Sequence, residues 1–483
     1  QSPSSAASDV YKRQYLNYKL FMQRNLVLIL LLILFNSSQS LAKTFNVKNS
    51  KDSGPESLRH ALLKASKSKE SSKILITTED EIIINSTLEY TGLQPLDIVG
   101  SGQSIKTTQN QTLLFVSNGA DLTISNLNFY GVGGFSIKKG GWGKGIFVDV
   151  RDDQKGLVNV ILNNVSVNDV ASHGIHISDC SLADDCGGGQ GGGGEGSDAS
   201  IKVVVDNLTI SNVGNGRFDA DGFRIDERGI GDIDFKASNS LFTLVGADGV
   251  ELDEGNAGNV NATVNNSSFV LNGAYCDPKL LKPFMPKQDE GEFDDNVRKE
   301  DSIPGKIKGT PDDRCFEREV DLYDSGFVKE FEFGIDLDDG FDIDEAGPGN
   351  LVVTINNSFI NGNLDEGLDF DEANNGDIFL TINNTISINN TDDGFKNSEE
   401  DDGSVIASID GVIAVKNGGK GIVLEEEGVG DVRAFIESTI TNTNDDSDKT
   451  GLEAVQEDVG SGIIKIVNSQ LFDGIDAEGV QLK

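Results

Sequence analysis

The chain has 483 residues, with 79 Asp or Glu against 40 Lys or Arg, for a net charge of −39. That balance excludes ordinary nucleic-acid binding, which needs a basic surface, and argues against anionic membranes. It points toward cations as partners.

Residues 1–21 precede Met22 without hydrophobic patterning and are expected to be an extraneous upstream extension. Arg24, an apolar run from Leu26 to Phe35 and then Ser40-Leu41-Ala42 follow. They predict a signal peptide over 22–42, cleaved before Lys43, because the run is short for a membrane span. No membrane span is expected after cleavage. The expected location is secreted, periplasmic or at a bacterial cell surface. The remaining chain carries 78 acidic and 36 basic residues.

An N-terminal cap is expected over 43–75. In it, Pro55 precedes a short helix with Leu58, Ala61 and Leu62 on one face. From 76 to 483 a unit of about 27 residues recurs. Its clearest phrases are Asp221-Gly-Phe-Arg-Ile-Asp-Glu227, Asp248-Gly-Val-Glu-Leu-Asp-Glu254, Asp339-Gly-Phe-Asp-Ile-Asp-Glu345 and Glu366-Gly-Leu-Asp-Phe-Asp-Glu372. Each is followed by a glycine-bearing turn, an alternating run such as Asn350-Leu-Val-Val-Thr-Ile355, an Asn-rich turn and a third short run. Alternation with period two argues for strands, and a fixed period means stacked copies of one unit. Three strands and three turns per unit describe one coil of a β-solenoid. The Asn-x-Ser/Thr sequons read as turn chemistry, since Asn tolerates the left-handed region and its amide can pair with the copy above.

The segment Thr44-Phe-Asn-Val-Lys-Asn-Ser-Lys-Asp-Ser-Gly-Pro-Glu-Ser-Leu-Arg-His-Ala-Leu-Leu63 resembles the N-terminal motif of secreted bacterial β-helix repeat proteins. With the repeats, it makes the chain similar to right-handed parallel β-helix proteins of the pectate-lyase-like superfamily. The resemblance implies an all-β fold of three-strand coils with an N-terminal capping helix. It implies no single activity, because that superfamily holds lyases, hydrolases, epimerases, adhesins and inert stalks.

Two insertions break the period, at about 181–199 and 273–333. The first is Gly-rich. The second explains why Gly249 and Gly340 are far more than one repeat apart. Four cysteines allow three connectivities, and the local pairs Cys180–Cys186 and Cys276–Cys315 are expected in an exported chain. The sequence stops inside a repeat phrase, so residue 483 is expected not to be the natural C-terminus.

Stacking places equivalent residues in columns. Four residues beyond each repeat glycine lie Asp226, Asp253, Asp344 and Asp371. Five beyond lie Glu227, Glu254, Glu345, Glu372, Glu399 and Glu426. Two beyond, at an outward position, lie His176, Arg224, Glu251, Asp342, Asp369 and Lys396. Adjacent coils stand about 4.8 Å apart, so bare carboxylates would repel by roughly 1 kcal/mol in water and several times more near the protein. Hard cations such as Ca2+ on Asp226, Asp253, Asp342, Asp344, Asp369 and Asp371, turn N–H groups on the Glu column, or protonation are the available compensations.

His173-Gly-Ile-His-Ile-Ser178 is similar to the Gly-His-Gly segment of polygalacturonases, without the Asp motifs that precede it there. The phrase Asp339–Glu345 is similar to the Asp-Pro-His-Glu strand of mannuronan epimerases, with Ile and Asp in place of Pro and His. Two functions remain open. The first is a non-catalytic glycan-binding, adhesin or structural module with a cation-binding acidic ladder, whose partners are a polysaccharide or cell-surface glycan and divalent cations. The second is a lyase or hydrolase acting on an acidic polysaccharide, with His176, Arg224 and Glu251 as catalytic candidates. Repetition of the acidic phrase favours the first. The local break in that pattern between two insertions favours the second.

Overall fold

Three strips of parallel strand make up the solenoid wall. A computed structural model describes residues 42–180, 196–303, 309–310, 312–444, 450–457 and 459–483. One strip is a twelve-stranded sheet in which each repeat phrase contributes one strand. Phe223, Val250, Phe341 and Leu368 are direct neighbours across it, and so are Arg224, Glu251, Asp342 and Asp369. The other two strips join into one 22-stranded sheet, because in several early coils a single long strand crosses both. Lys155–Asn168 and Asp198–Ser211 are such strands, bent at Asn164 and Asn207 with φ of 53° and 55°. Asn239, Asn266, Asn357 and Asn384 continue this left-handed corner with φ of 48–52°. A short polar side chain makes that conformation affordable for an L residue. Asn amides also pair from coil to coil at and beside this corner: Asn207 donates to Asn164 Oδ1 at 2.8 Å, and Asn383, the residue before the corner, to Asn356 Oδ1 at 2.9 Å. The parallel β-helix expected from the repeats is the observed fold.

Alternation sets the core. Phe223, Ile225, Val250, Leu252, Phe341 and Ile343 are all fully buried. Every phrase glycine faces a close approach: a Cβ on Gly340 would sit 2.4 Å from the carbonyl oxygen of Gly367. The interior also carries an Asn ladder just before these glycines. Asn272, Asn363, Asn390, Asn417 and Asn444 are buried, and successive amides donate at 3.0–3.1 Å.

The expected capping helix spans Leu58–Ala65. Ser57 caps it by accepting from the His60 N–H at 3.3 Å, and Leu58, Ala61, Leu62 and Ala65 are buried. Among the described residues, no helix is long and apolar enough to cross a membrane.

The second insertion is a folded body, not a plain loop. It holds a short helix, Pro278–Leu281, and an antiparallel three-stranded sheet of Glu290–Glu292, Val328–Ile335 and Phe316–Leu322. Ile303, Val328, Phe331 and Phe333 give it a core of its own. Its last strand runs to Ile335, which pairs with Phe316 and packs with it against the cluster of Tyr275, Cys276, Leu281 and Cys315. Cys276 and Cys315 are bridged, with Cα atoms 5.5 Å apart. The strand after the first insertion starts at Asp198, inside the range predicted for that insertion. Residues 181–195 lie outside the described residues, and with them Cys186 and its expected bridge to Cys180.

Candidate functional site

The outward column is continuous in register: Phe115, Phe147, His176, Arg224, Glu251, Asp342, Asp369 and Lys396. An outward strand position predicts exposure, but at the centre of the column the reverse holds. His176, Arg224 and Glu251 are 8 %, 5 % and 7 % exposed. Lys144 and Phe147 pack on His176, and Asp219 on Arg224. Phe218 stacks edge-on to Tyr275 of the second insertion, and Ile137 packs against the same small cluster.

Arg224 is the hub of this region. Its Nε donates to Asp226 at 2.8 Å, its Nη1 to Glu251 at 2.6 Å and to Asp219 at 2.9 Å, and its Nη2 to Asp253 at 2.6 Å. Asp221 lies 3.2 Å away. Burial opposes the charge, but Glu251, Asp226, Asp219 and Asp253 hold the guanidinium pKa well above its usual value. Arg224, one of the catalytic candidates, is held protonated by these carboxylates and is their counter-ion. Asp253 has a second partner, Arg228 Nη2 at 2.7 Å. Asp226 and Asp253, expected as cation ligands, are thus already compensated by side chains.

His176 sits between Asp226 and Lys144. Its Nε2 is 2.5 Å from Asp226 Oδ2, and Lys144 Nζ contacts its Nδ1. Burial, then Lys144, push the imidazole pKa well below its usual value, so the ring is neutral. A neutral ring satisfies both contacts by donating from Nε2–H to Asp226 and accepting from Lys144 at Nδ1. Burial also pulls the Lys144 amine down to about 7, against the attraction of Asp226. His173 tilts against His176 with ring centroids 4.6 Å apart, and its Nδ1 accepts from the Asp221 N–H at 3.0 Å. Phe115, Phe147 and His176 form a stack with spacings of 5.3 and 5.2 Å. Sequence reading missed Lys144. Its signal was position: Gly145 aligns with the repeat glycines, so Lys144 shares a column with His173 and Asp221.

Beyond Arg224 the column is acidic from Glu251 through Asp369, as far as Lys396, and lines a groove of about 390 Å³. The coils contribute Asp339, Asp342, Asp344, Asp369 and Asp371. The wall contributed by the end of the second insertion and the residues after it adds Glu317, Asp336 and Asp338. Oxygens of Asp339, Asp342 and Asp369 lie within 4.8 Å of one another, and so do those of Asp339, Asp365 and Glu366. Asp219, Asp221 and Glu251 form a third such group, but Arg224 occupies it. Asp344 and Asp371 face the groove without joining any of these groups. Lys396 bonds Asp369 at 2.8 Å and lies 3.6 Å from Asp371. Burial, then Asp344 and further carboxylates, push the Asp342 carboxyl well above its usual range. Burial, then Asp253, push Asp344 up to about 7. An all-oxygen, anionic donor set of this spacing fits hard divalent cations.

The Glu column takes a different compensation. It faces its own turns and is buried. Glu227, Glu345 and Glu426 accept from the N–H of Gly229, Gly347 and Gly428 at 3.1, 3.3 and 3.0 Å.

No protein-family model matches the chain, and no curated protein matches it. Among solved structures, the chain is similar to the A-module of mannuronan C-5 epimerase AlgE6 from Azotobacter vinelandii. Identity is 11 %, the TM-score 0.46, and the match covers 91 % of this chain and 99 % of that one. It is similar to a lacto-N-biosidase from Eubacterium ramulus at 12 % identity and TM-score 0.45, covering 89 % and 68 %. An alginate lyase from Paenibacillus sp. str. FPU-7 matches at 11 % identity and TM-score 0.40, covering 91 % and 99 %. At these identities and scores, no activity is carried over to this chain.

Proposed function

We propose that this protein is a secreted or cell-surface β-helix directed at a polysaccharide, and that its acidic groove is a non-catalytic binding surface loaded with hard divalent cations such as Ca2+. The observation that supports this reading is the pair of carboxylate groups around Asp339, which hold no Arg and in which, among the described residues, Lys396 reaches Asp369 alone. Asp339, Asp342 and Asp369 would hold one ion, with Asp365 and Glu366 beside them. A bound cation would neutralise these side chains and present a positive centre to the carboxylates of an acidic glycan. The test is calorimetric binding of uronate-containing polysaccharides with Ca2+ and with chelator. Binding that needs Ca2+ and is lost in Asp342→Asn/Asp369→Asn supports the reading. Equal binding in chelator contradicts it.

One observation favours catalysis as a second reading. Lys144, His176 and Asp226 form a chain of contacts beside Arg224, which lines the groove, and an amine with a pKa near 7 is suited to proton transfer. On that reading Lys144 is the base, His176 orients it, and Arg224 and Glu251 hold Asp226 and its neighbours in place. New unsaturated ends on an acidic polysaccharide, abolished by Lys144→Ala and unchanged by Lys465→Ala on a distant coil, would support it. No product with any uronate polymer would refute it.

A further inference from the structure

The buried glutamates leave an account of donors unsettled. Asp179, Glu227, Glu254, Glu345, Glu372, Glu399, Glu426 and Gln456 stack in register through eight successive coils, all at most 8 % exposed. Where a Glu reaches its own turn, one oxygen accepts a backbone N–H. The second oxygens of Glu227, Glu254 and Glu345 are buried without an N–H or hydroxyl partner, as are all four side-chain oxygens of Glu372 and Glu399. Neighbouring side chains nevertheless lie within hydrogen-bonding reach of each other, Glu372 with Glu399 among them. Two carboxylates cannot hydrogen-bond, because both only accept.

The last rung shows what such a pair requires. Gln456 stands where the next glutamate would be. Its Oε1 accepts the Val432 N–H at 2.8 Å, and its Nε2 donates to Glu426 Oε2. Here an amide supplies the proton. Counting back in twos from Gln456 gives Glu399, Glu345 and Glu227 as the donor rungs, and Glu426, Glu372, Glu254 and Asp179 as the acceptors. Asp179 suits the acceptor place: it takes N–H bonds from Ser197 at 2.6 Å and Arg228 at 2.8 Å.

We propose that Glu399 is a neutral carboxylic acid in the folded protein, bonded through its proton to Glu372, in the way that the Gln456 amide is bonded to Glu426. The charged groups acting on Glu399 are Glu372 and Glu426 on the adjacent coils and Asp401 at its own turn, all acidic. Burial, then the bond to Glu372, push its carboxyl up to about 9. A carboxyl raised in this way contributes its stability below the unfolded value of 4.5, and that contribution is lost as pH climbs toward 9.

Infrared spectroscopy of the full chain with isotope-labelled glutamate reads protonation directly. At pH 7 a protonated-carboxyl band should be present and should weaken in Glu399→Gln. That variant should melt within about 4 °C of the unaltered protein at pH 7, and should lose less stability between pH 5 and pH 9. Glu399→Ala, which removes the donor, should melt lower than Glu399→Gln. Absence of a protonated carboxyl at pH 7, or equal melting of the Gln and Ala variants, would overturn the proposal. So would a band that appears only after chelation, since a cation would then be holding the ladder.

Discussion

Replacing Arg224 by Ala tests the electrostatic centre of the site. The side chain is 6 % exposed and satisfies four carboxylates at 2.6–2.9 Å. Asp226 would keep His176, and Asp253 would keep Arg228, but Glu251 and Asp219 would lose the only ion-pair partner recorded for them among the described residues. Breaking a buried pair from one side costs about 3–5 kcal/mol, because the remaining charge stays desolvated. Asp219 is 37 % exposed and regains water, and burial already pushes the Glu251 carboxyl well above its usual range, so the lower half of that range is expected, read as a fall in the urea midpoint at pH 7. Arg224→Lys should recover only part of it, since an ammonium cannot span the same fork. The pH dependence has a definite sign. Burial pushes the Asp226 carboxyl up, but Arg224 and then His176 hold it well below its usual range. Its contribution is therefore present above the ordinary carboxylate pKa and fades as pH falls through the folded value. Without Arg224 the stranded carboxyls take up protons more readily, so the deficit should shrink at pH 4. A loss below about 1 kcal/mol, or a deficit that grows in acid, would refute this reasoning.

Asn390→Ala should cost about 1–3 kcal/mol, because Asn363 loses the acceptor for its backbone and side-chain N–H bonds at 3.1 and 3.0 Å. Hydrogen exchange should quicken first on the coils holding Asn363 and Asn417. Lys144, whose amine burial pulls down to about 7, should be methylated at pH 7.5 ahead of the exposed lysines of the chain; labelling no faster than theirs would contradict its position. Ca2+ binding at pH 6 should release protons, because carboxyls such as Asp365, raised to about 7 by burial and then by Asp392, must ionise to bind.

The repeat made most of the fold legible. A 27-residue glycine period with alternating runs left little besides a β-solenoid, and the register of the columns followed from counting alone. What the columns face was not legible. The packing on His176 and Arg224 comes from side chains such as Lys144 and Asp219, whose approach no spacing shows. The surroundings of Arg224 depend on five acidic groups converging from two coils and one loop, so spacing could place it in the column but not show the carboxylates it pairs with. Lys144 and the Asn272–Asn444 ladder did leave a trace, in positions that recur with the glycines. They went unread because a Lys and a few Asn stand out less than a run of acids.

The central claim is that the groove around Asp339 is a cation site. Its most direct test is a Ca2+ titration followed by calorimetry and thermal melting at fixed ionic strength. Saturable binding should occur, chelation should lower the melting temperature, and Ca2+ should restore it. At a hundred times the dissociation constant the gain is about 2.7 kcal/mol. Asp342→Asn/Asp369→Asn should remove both heat and stabilisation. If sodium chloride at matched ionic strength stabilises equally, or chelation leaves the melting curve unmoved, the groove is a screened acidic surface and the account is contradicted.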